Sequence, residues 1–482
     1  MNITVTERPD IPASIQRTDK KRTLLFRKYA DKLSINGDLS RAIVSFQANK
    51  NVPFYRWLKY KEAFSSELVR FFVDRFRPAK KSAPKILDPF AGAGTTLTTA
   101  TKAGWNATGI ELLPVGVAAM KARLKADTVD IRLVENYLLR LEKYPLEKTG
   151  SNFRFPHLRI TEKAFRKETE RAIASYMTFL NEIEEQDVRY LFWFACLSIL
   201  EEVSFTRKDG QYLRWDYRSD RDLRSSFDKG VIPDFRHAIT NKLNLMLEDI
   251  KRRNGGSYSR NVKIIEGSCL KEMPHLAAGS FDLILTSPPY CNRYDYTRTY
   301  AVELAFIGYD EETLKNLRQT LLSATVENKS KREQLFIEYK RRNKQAFYNS
   351  AAQIFDKQSA LHEVLGFLYE AKNRGELNNN NIPNMIENYF FEMNLIVHEL
   401  SRVLAPGGNI IMVNDNVRYH GEEIPVDLIL SDFAANAGLT VDCIWVLPRG
   451  KGNSSQQMGA YGRNELRKCV YVWSKCRGHF IQ

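Results

Sequence analysis

Two short runs of this 482-residue chain carry residue types at spacings that could do chemistry. The first is Asp88-Pro89-Phe90-Ala91-Gly92-Ala93-Gly94-Thr95-Thr96, with Glu111 standing 19 residues after Gly92. Glycines let a backbone approach a ligand closely and adopt turn angles closed to other residues. A carboxylate ending the next strand can accept both hydroxyls of a ribose. The pair points to an adenosine-containing ligand and does not separate dinucleotides from S-adenosylmethionine. Leu97 occupies the place of a third glycine, which weakens the dinucleotide-phosphate reading. The second run is Thr286-Ser287-Pro288-Pro289-Tyr290. Consecutive prolines end a strand and fix the loop. They hold the Ser287 hydroxyl and a backbone carbonyl as acceptors for an exocyclic amino group, and Tyr290 offers a face on which a flat base could stack.

The elements that must position these runs follow from periodicity. Ile86 and Leu87 open a strand, the glycine turn leads into a helix, and a second strand ends at Glu111, which makes one βαβ unit. Before it, Leu68, Phe71, Phe72 and Phe76 have helical spacing within residues 59–76, and Pro78 and Pro84 break that helix. A long helical stretch follows over about 113–255, including Ala164–Leu180 and Val188–Val203. Residues 261–267 and 281–287 read as strands, and a second helical stretch spans about 309–385. A helix over Tyr389–Leu404, a strand over 409–414, a helix over Pro425–Ala437 and strands over 439–447 and 468–474 complete the pattern. Strands alternating with helices predict an α/β fold with a doubly wound, mostly parallel sheet, whose last two strands form an antiparallel edge. The expected organisation is a basic arm with a helix over 1–85, a core from 86–112, 261–308 and 386–476, and helical insertions at 113–260 and 309–385.

Composition sets the partners. Hydrophobic residues make up 43% and charged residues 27%, an ordinary globular balance. The net charge is +15, and residues 1–87 alone hold 19 Lys and Arg against 8 Asp and Glu. Such an excess favours polyanions, nucleic acid first, and Arg17, Lys20, Lys21, Arg22, Arg27 and Lys28 are candidate phosphate contacts. No apolar run approaches the roughly 20 residues of a membrane span. Six cysteines without a CxxC pair argue against a disulfide framework or a zinc ribbon, so no metal is expected and the expected setting is a reducing cytoplasm.

DPFAGAGTT, a strand-end Glu and TSPPY together resemble the amino-methylating DNA methyltransferases, and SPPY is most similar to the N4-cytosine group. The resemblance covers residues of about 53–115, 262–308 and 386–476. It implies a class I methyltransferase fold, S-adenosylmethionine bound by the residues Asp88 to Gly92, Gly94, Thr95, Thr96 and Glu111, and the target amine held by Ser287, Pro288, Pro289 and Tyr290. Lys61, Phe64 and Ser65 fall in a segment similar to the family's extra cofactor motif, and Ser268 in the one that meets the cofactor adenine. Asn453, Ser454, Ser455, Gln456 and Gln457 fill the loop that in the family lies over the extruded base. Carbon-5 methylation is not implied, because the Pro-Cys dipeptide is missing; Cys291 follows SPPY and reads as a packing residue.

With little chain after the last strand, target recognition is expected from the insertions or the arm. Residues 205–218 interleave cations and aromatics, which makes Arg207, Arg214, Trp215 and Arg218 candidate DNA contacts. Arg293, Tyr296 and Arg298 follow SPPY closely. Asp234 and Asp249-Ile250-Lys251 match a loose nuclease pattern, but Ala238–Ile250 reads as helix, which argues against it. The expected activity is N4-cytosine methylation of duplex DNA by base flipping. N6-adenine methylation is the alternative, with RNA or protein amide methylation behind it. The resemblance further implies a bacterial, archaeal or phage setting and a separate restriction endonuclease as companion.

Overall fold

The computed structural model describes residues 20–60, 63–147, 152–209, 212–223, 226–253, 261–448 and 466–477. Its centre is an eight-stranded sheet of β1 (Leu33–Ile35), β2 (Lys85–Asp88), β3 (Asn106–Glu111), β4 (Val262–Glu266), β5 (Phe281–Thr286), β6 (Leu404–Asp415), β7 (Thr440–Val446) and β8 (Lys468–Ser474). The strand order is β1-β7-β8-β6-β5-β2-β3-β4. All neighbours are parallel except β8, which runs antiparallel to both β6 and β7. After β1 at one edge, the chain enters the middle at β2, winds outward through β3 and β4, returns to β5 and winds the other way. Order reverses between β2 and β5, and crevices for ligands open at such a point.

Both faces of the sheet are covered. On one, Leu68, Val69, Phe72 and Val73 of the helix Ser66–Arg75 pack with Leu97 and Ala100 against Ile86, Leu283, Leu285, Ile411 and Val413. On the other, the helix Ile382–Val403 is buried nearly all round, its polar residues included, between the sheet and further helices. The insertion after β3 builds a core of its own around the helix Gln186–Val203.

Three sequence expectations are corrected. First, β7 is not the sheet edge, because β1 adds parallel to its outer side. A strand of three residues is too short to leave a periodic signal. Second, the described part of the basic arm docks on the protein. The helix Lys20–Tyr29 buries Arg22, which donates to Glu363 at 3.1 Å, Glu422 at 2.7 Å and the Glu423 carbonyl at 2.9 Å. Lys28 pairs with Asp432 at 2.6 Å. Both cations hold the arm in place, and Arg22, fully buried, is out of reach of a phosphate, whereas Lys28 stays half exposed; Arg17 lies outside the described residues. Third, the first insertion is not wholly helical. Thr206–Asp209 and Tyr212–Trp215 form an antiparallel hairpin. Its first strand alternates, with Arg207 exposed and Lys208 only 3% exposed beside Glu303, and a cation at an inward position hides that period from a hydropathy reading.

The nuclease-like acids are structural. Asp234 caps the helix Phe235–Lys251 by accepting from the His237 amide. Asp249, fully buried, accepts from the Phe54 amide at 2.8 Å, Trp57 Nε1 at 2.9 Å and Arg56 Nη2 at 2.6 Å. Asp249→Ala strands all three donors, so folding stability should fall by about 3–5 kcal/mol, read as an earlier urea midpoint at unchanged slope.

Candidate active site

The carboxyl ends of β2, β3, β5 and β6 converge on one cavity of about 320 Å³. Asp88, Pro89, Phe90, Ala91, Gly92, Thr95 and Thr96 line it from the glycine turn, Glu111 from β3, and Ser287, Pro288, Pro289 and Tyr290 from the loop after β5. Gly92 and Gly94 take φ of +52° and +77°, angles that L side chains rarely adopt. A Cβ on Gly92 would lie 3.1 Å from the Tyr60 ring, and one on Gly116 would lie 2.5 Å from the Gly92 carbonyl, so bare backbone keeps the turn open.

Asp88 is the hub beneath the turn. It accepts from Thr96 Oγ1 at 2.6 Å, from Thr286 Oγ1 at 2.9 Å and from the Phe90 amide at 3.1 Å. Burial raises its carboxyl to about 6, and those three bonds limit the rise. Glu111 takes the Gly92 amide on one oxygen and the Leu113 amide on the other, each at 2.6 Å. Each oxygen keeps acceptor capacity toward the cavity. Loss of water around Glu111 raises it to about 7, with the two amide bonds opposing.

Ser287 Oγ donates to Tyr290 Oη at 3.1 Å, so the loop presents a hydroxyl pair at the cavity wall. Burial raises the Tyr290 phenol, which stays a neutral donor. Cys291 is fully buried and its thiol is raised by burial, the condition of a packing residue.

Other residues singled out from sequence fall at varied distances from this centre. Phe64, Ser268 and Tyr296 line the cavity. Ser65 is buried and caps the helix Ser66–Arg75, accepting from the Leu68 amide at 3.1 Å. Gly94 sits at the start of the helix Thr95–Lys102. Arg293 has φ +65°, a left-handed backbone uncommon for a non-glycine residue, immediately beyond the SPPY loop. Arg298 is held by Asp295 at 3.2 Å and Glu327 at 2.8 Å. On the hairpin, Arg207 and Arg214 both lie over the Phe227 ring, and Arg221 lies 4.2 Å over Trp215. Arg218 is held within the insertion: its Nε and Nη2 donate to Asp216, Asp228 and the Gly230 carbonyl. Lys61 and the segment Asn453, Ser454, Ser455, Gln456 and Gln457 lie outside the described residues.

Several lining residues had no signal of their own. Tyr60 reaches the cavity from before the first helix of the core and stacks on Tyr300 at 5.2 Å. Leu321 and Leu322 come from the second insertion, which the Ser268 hydroxyl ties down through the Thr320 carbonyl at 3.3 Å. Asp415 and Lys468 close the far wall; a carboxylate at the end of a central strand was the available hint for Asp415.

An open, mostly parallel sheet with a glycine turn after its first central strand and an acid ending the next is the fold of the class I methyltransferases. No protein-family model matches the chain. Curated relatives do. The chain is 46% identical over 475 residues to the type II methyltransferase M.AvaI of Nostoc sp., covering 96% of this chain and 94% of the relative. It is 39% identical over 472 residues to the type II methyltransferase M.BsoBI of Geobacillus stearothermophilus, covering 94% and 92%. Similarity to the type II methyltransferase M.MvaI of Kocuria varians is 24% over 270 residues, 54% of this chain and 58% of the relative. The chain belongs to the type II methyltransferases of restriction–modification systems and is a DNA methyltransferase.

The raised carboxyl of Glu111 has a consequence for stability. Between pH 4.5, its ordinary value, and about 7, the folded protein holds a proton that the unfolded chain releases. Stability from this group therefore falls as pH rises through that window. Glu111→Gln can keep only one of the two backbone amides, so it should melt lower at acid pH, but it should lose part of the wild type's decline between about pH 5 and 7 in the absence of ligand. Thermal melts at stepped pH check this; identical profiles would show that Glu111 is not the group responsible.

Proposed function

We propose that this enzyme uses S-adenosylmethionine to methylate the N4 amine of cytosine flipped out of duplex DNA. The observation that carries the reading is the sharing of one cavity by the glycine turn, Glu111 and the SPPY loop. The residues fit the cofactor: the side-chain-free turn leaves room against Tyr60 and Gly116, and Glu111 keeps acceptor capacity for ribose hydroxyls. When bound, S-adenosylmethionine supplies an electrophilic methyl group on a positively charged sulfur. Asp88, Phe64, Thr95, Thr96 and Ser268 complete the cofactor side.

On the target side, Ser287 and the Pro288 carbonyl accept the two N–H groups of the amine. In cytosine that nitrogen is conjugated with its ring. Acceptors on both hydrogens draw it toward tetrahedral geometry, aim its lone pair out of the ring plane and stabilise the positive charge that builds there. Tyr290 gives the base a surface to stack on. The base must leave the duplex, since its amine is paired inside it. Ser287 favours cytosine as target, because a neutral hydroxyl places no full charge near the ring acceptors. Arg207 and Arg214 on the hairpin and Arg293 beyond the SPPY loop are the cations offered to DNA.

Ser287→Ala should lower kcat about 100- to 1000-fold if it removes one transition-state hydrogen bond, and should leave cofactor affinity unchanged by calorimetry. Mass spectrometry of nucleosides from treated DNA tests the product. N4-methylcytosine supports the reading; N6-methyladenine alone would overturn the base assignment. Glu111→Ala should weaken cofactor binding at least about tenfold, by loss of charge-assisted hydrogen bonds. Replacing Arg207 and Arg214 together with Ala should weaken DNA binding at low salt and flatten its salt dependence by up to about two units of slope.

A further inference from the structure

An amine-reading loop alone does not separate cytosine from adenine, which carries a similar amine beside a ring acceptor. Two charged side chains on the far wall of the cavity bear on this choice. Asp415 ends β6 and Lys468 opens β8, and the antiparallel register sets them directly opposite each other. Lys468 Nζ stands 3.6 Å from Asp415 Oδ1, too far for a hydrogen bond, and 5.7 Å from the centre of the Tyr290 ring. Among the described residues the Lys468 ammonium leans on Asp415 alone, through this one long ion pair, so at least two of its three N–H donors are unspent, and Asp415 Oδ1 is shielded from solvent. A pair this loosely joined keeps donors and an acceptor for a third party in the cavity. Burial opposes the charge on Lys468, but Asp415 and Tyr290 beside it outweigh burial and hold it protonated.

We propose that Lys468 is the base-reading residue of the target pocket, its ammonium donating to the ring acceptors N3 and O2 of the extruded cytosine while Asp415 balances its charge. The inference rests on the cytosine reading above. Cytosine presents amine, N3 and O2 in sequence along one edge. Adenine presents amine and N1 and then a C2–H, which offers nothing to a second donor bond. A donor group spanning the last two positions therefore favours cytosine. Charge balance matters for the chemistry as well. A lone cation at N3 would withdraw electrons from the amine and make it a poorer nucleophile; the Asp415 carboxylate offsets part of the positive charge that Lys468 and the nearby Arg41 bring to this wall. The Tyr290 ring beneath the ammonium steers it electrostatically.

The test compares two duplexes carrying the enzyme's own methylation sequence, one with the target cytosine and one with an abasic site in its place. Lys468→Met keeps the aliphatic stem and removes the donors. It should reduce the preference for the cytosine duplex at least about tenfold relative to wild type, with cofactor affinity unchanged, and Lys468→Arg should restore part of that preference. Unchanged preference in a Lys468→Met protein that binds cofactor would overturn the proposal. Should that variant fail to bind cofactor, the wild-type enzyme decides the matter on a duplex carrying 3-deazacytosine, which keeps the amine and lacks N3. Weaker binding than to cytosine is expected, and equal binding overturns the role of Lys468. N6-methyladenine as product would instead overturn the cytosine reading on which the inference stands, so the two failures are distinguishable.

Discussion

The Asp88 carboxylate is the interaction on which the rest of the site depends. It is buried at the end of β2 and takes hydrogen bonds from the helix after the glycine turn, through Thr96, and from the last residue of β5, through Thr286. One side chain thus ties together the glycine turn and the strand that delivers the SPPY loop. The strand order reverses between those same two strands. A crevice at a reversal is a consequence of winding direction, but its two walls would be free to slip relative to each other without a bond across it. Three donors on one carboxylate fix that relation while keeping a costly buried group satisfied.

The insertions are built around the same requirement. The second supplies Leu321 and Leu322 to the cavity and anchors its own approach through buried Glu392, which accepts from the Ser323 hydroxyl at 2.6 Å and pairs with Lys331 at 2.9 Å. The first places a hairpin whose inner face carries Lys208 against Glu303 and over the Tyr300 ring at 4.5 Å. Tyr300 in turn stacks on Tyr60, whose ring covers Gly92. A continuous packed chain therefore runs from the cationic hairpin to the glycine turn. A type II methyltransferase must hold two ligands of very different size, and this arrangement gives the cavity a rigid frame that spans the hairpin and the glycine turn.

Much of this was legible in the residues. Glycines at positive φ, a proline pair closing a buried strand, and an acid ending the following strand are local requirements of backbone geometry, so they survive as short motifs. The parallel core was legible for a similar reason: β2, β5 and β6 are buried on both faces and read as apolar runs. Likewise Asp249 gave itself away as structural, because the segment around it has helical period.

What only the tertiary structure decided are relations between distant positions. Whether Arg22 and Arg218 face solvent or spend their charge on Glu363 and Asp216 depends on partners far from them in fold or hidden by a turn, and charge counting cannot see partners. The three-residue β1 gains its place from pairing with β7 across more than 400 residues, and no local pattern encodes that. Lys468 and Asp415 are ordinary polar residues at strand ends until the register of β6 and β8 sets them opposite each other on one cavity wall. The sequence by itself determined which backbone turns and which buried strands this chain forms, because those depend on residues near in sequence. The fold decided which charges are spent and which remain for a ligand, because electrostatic partnership is set by distance in space and by exclusion of water.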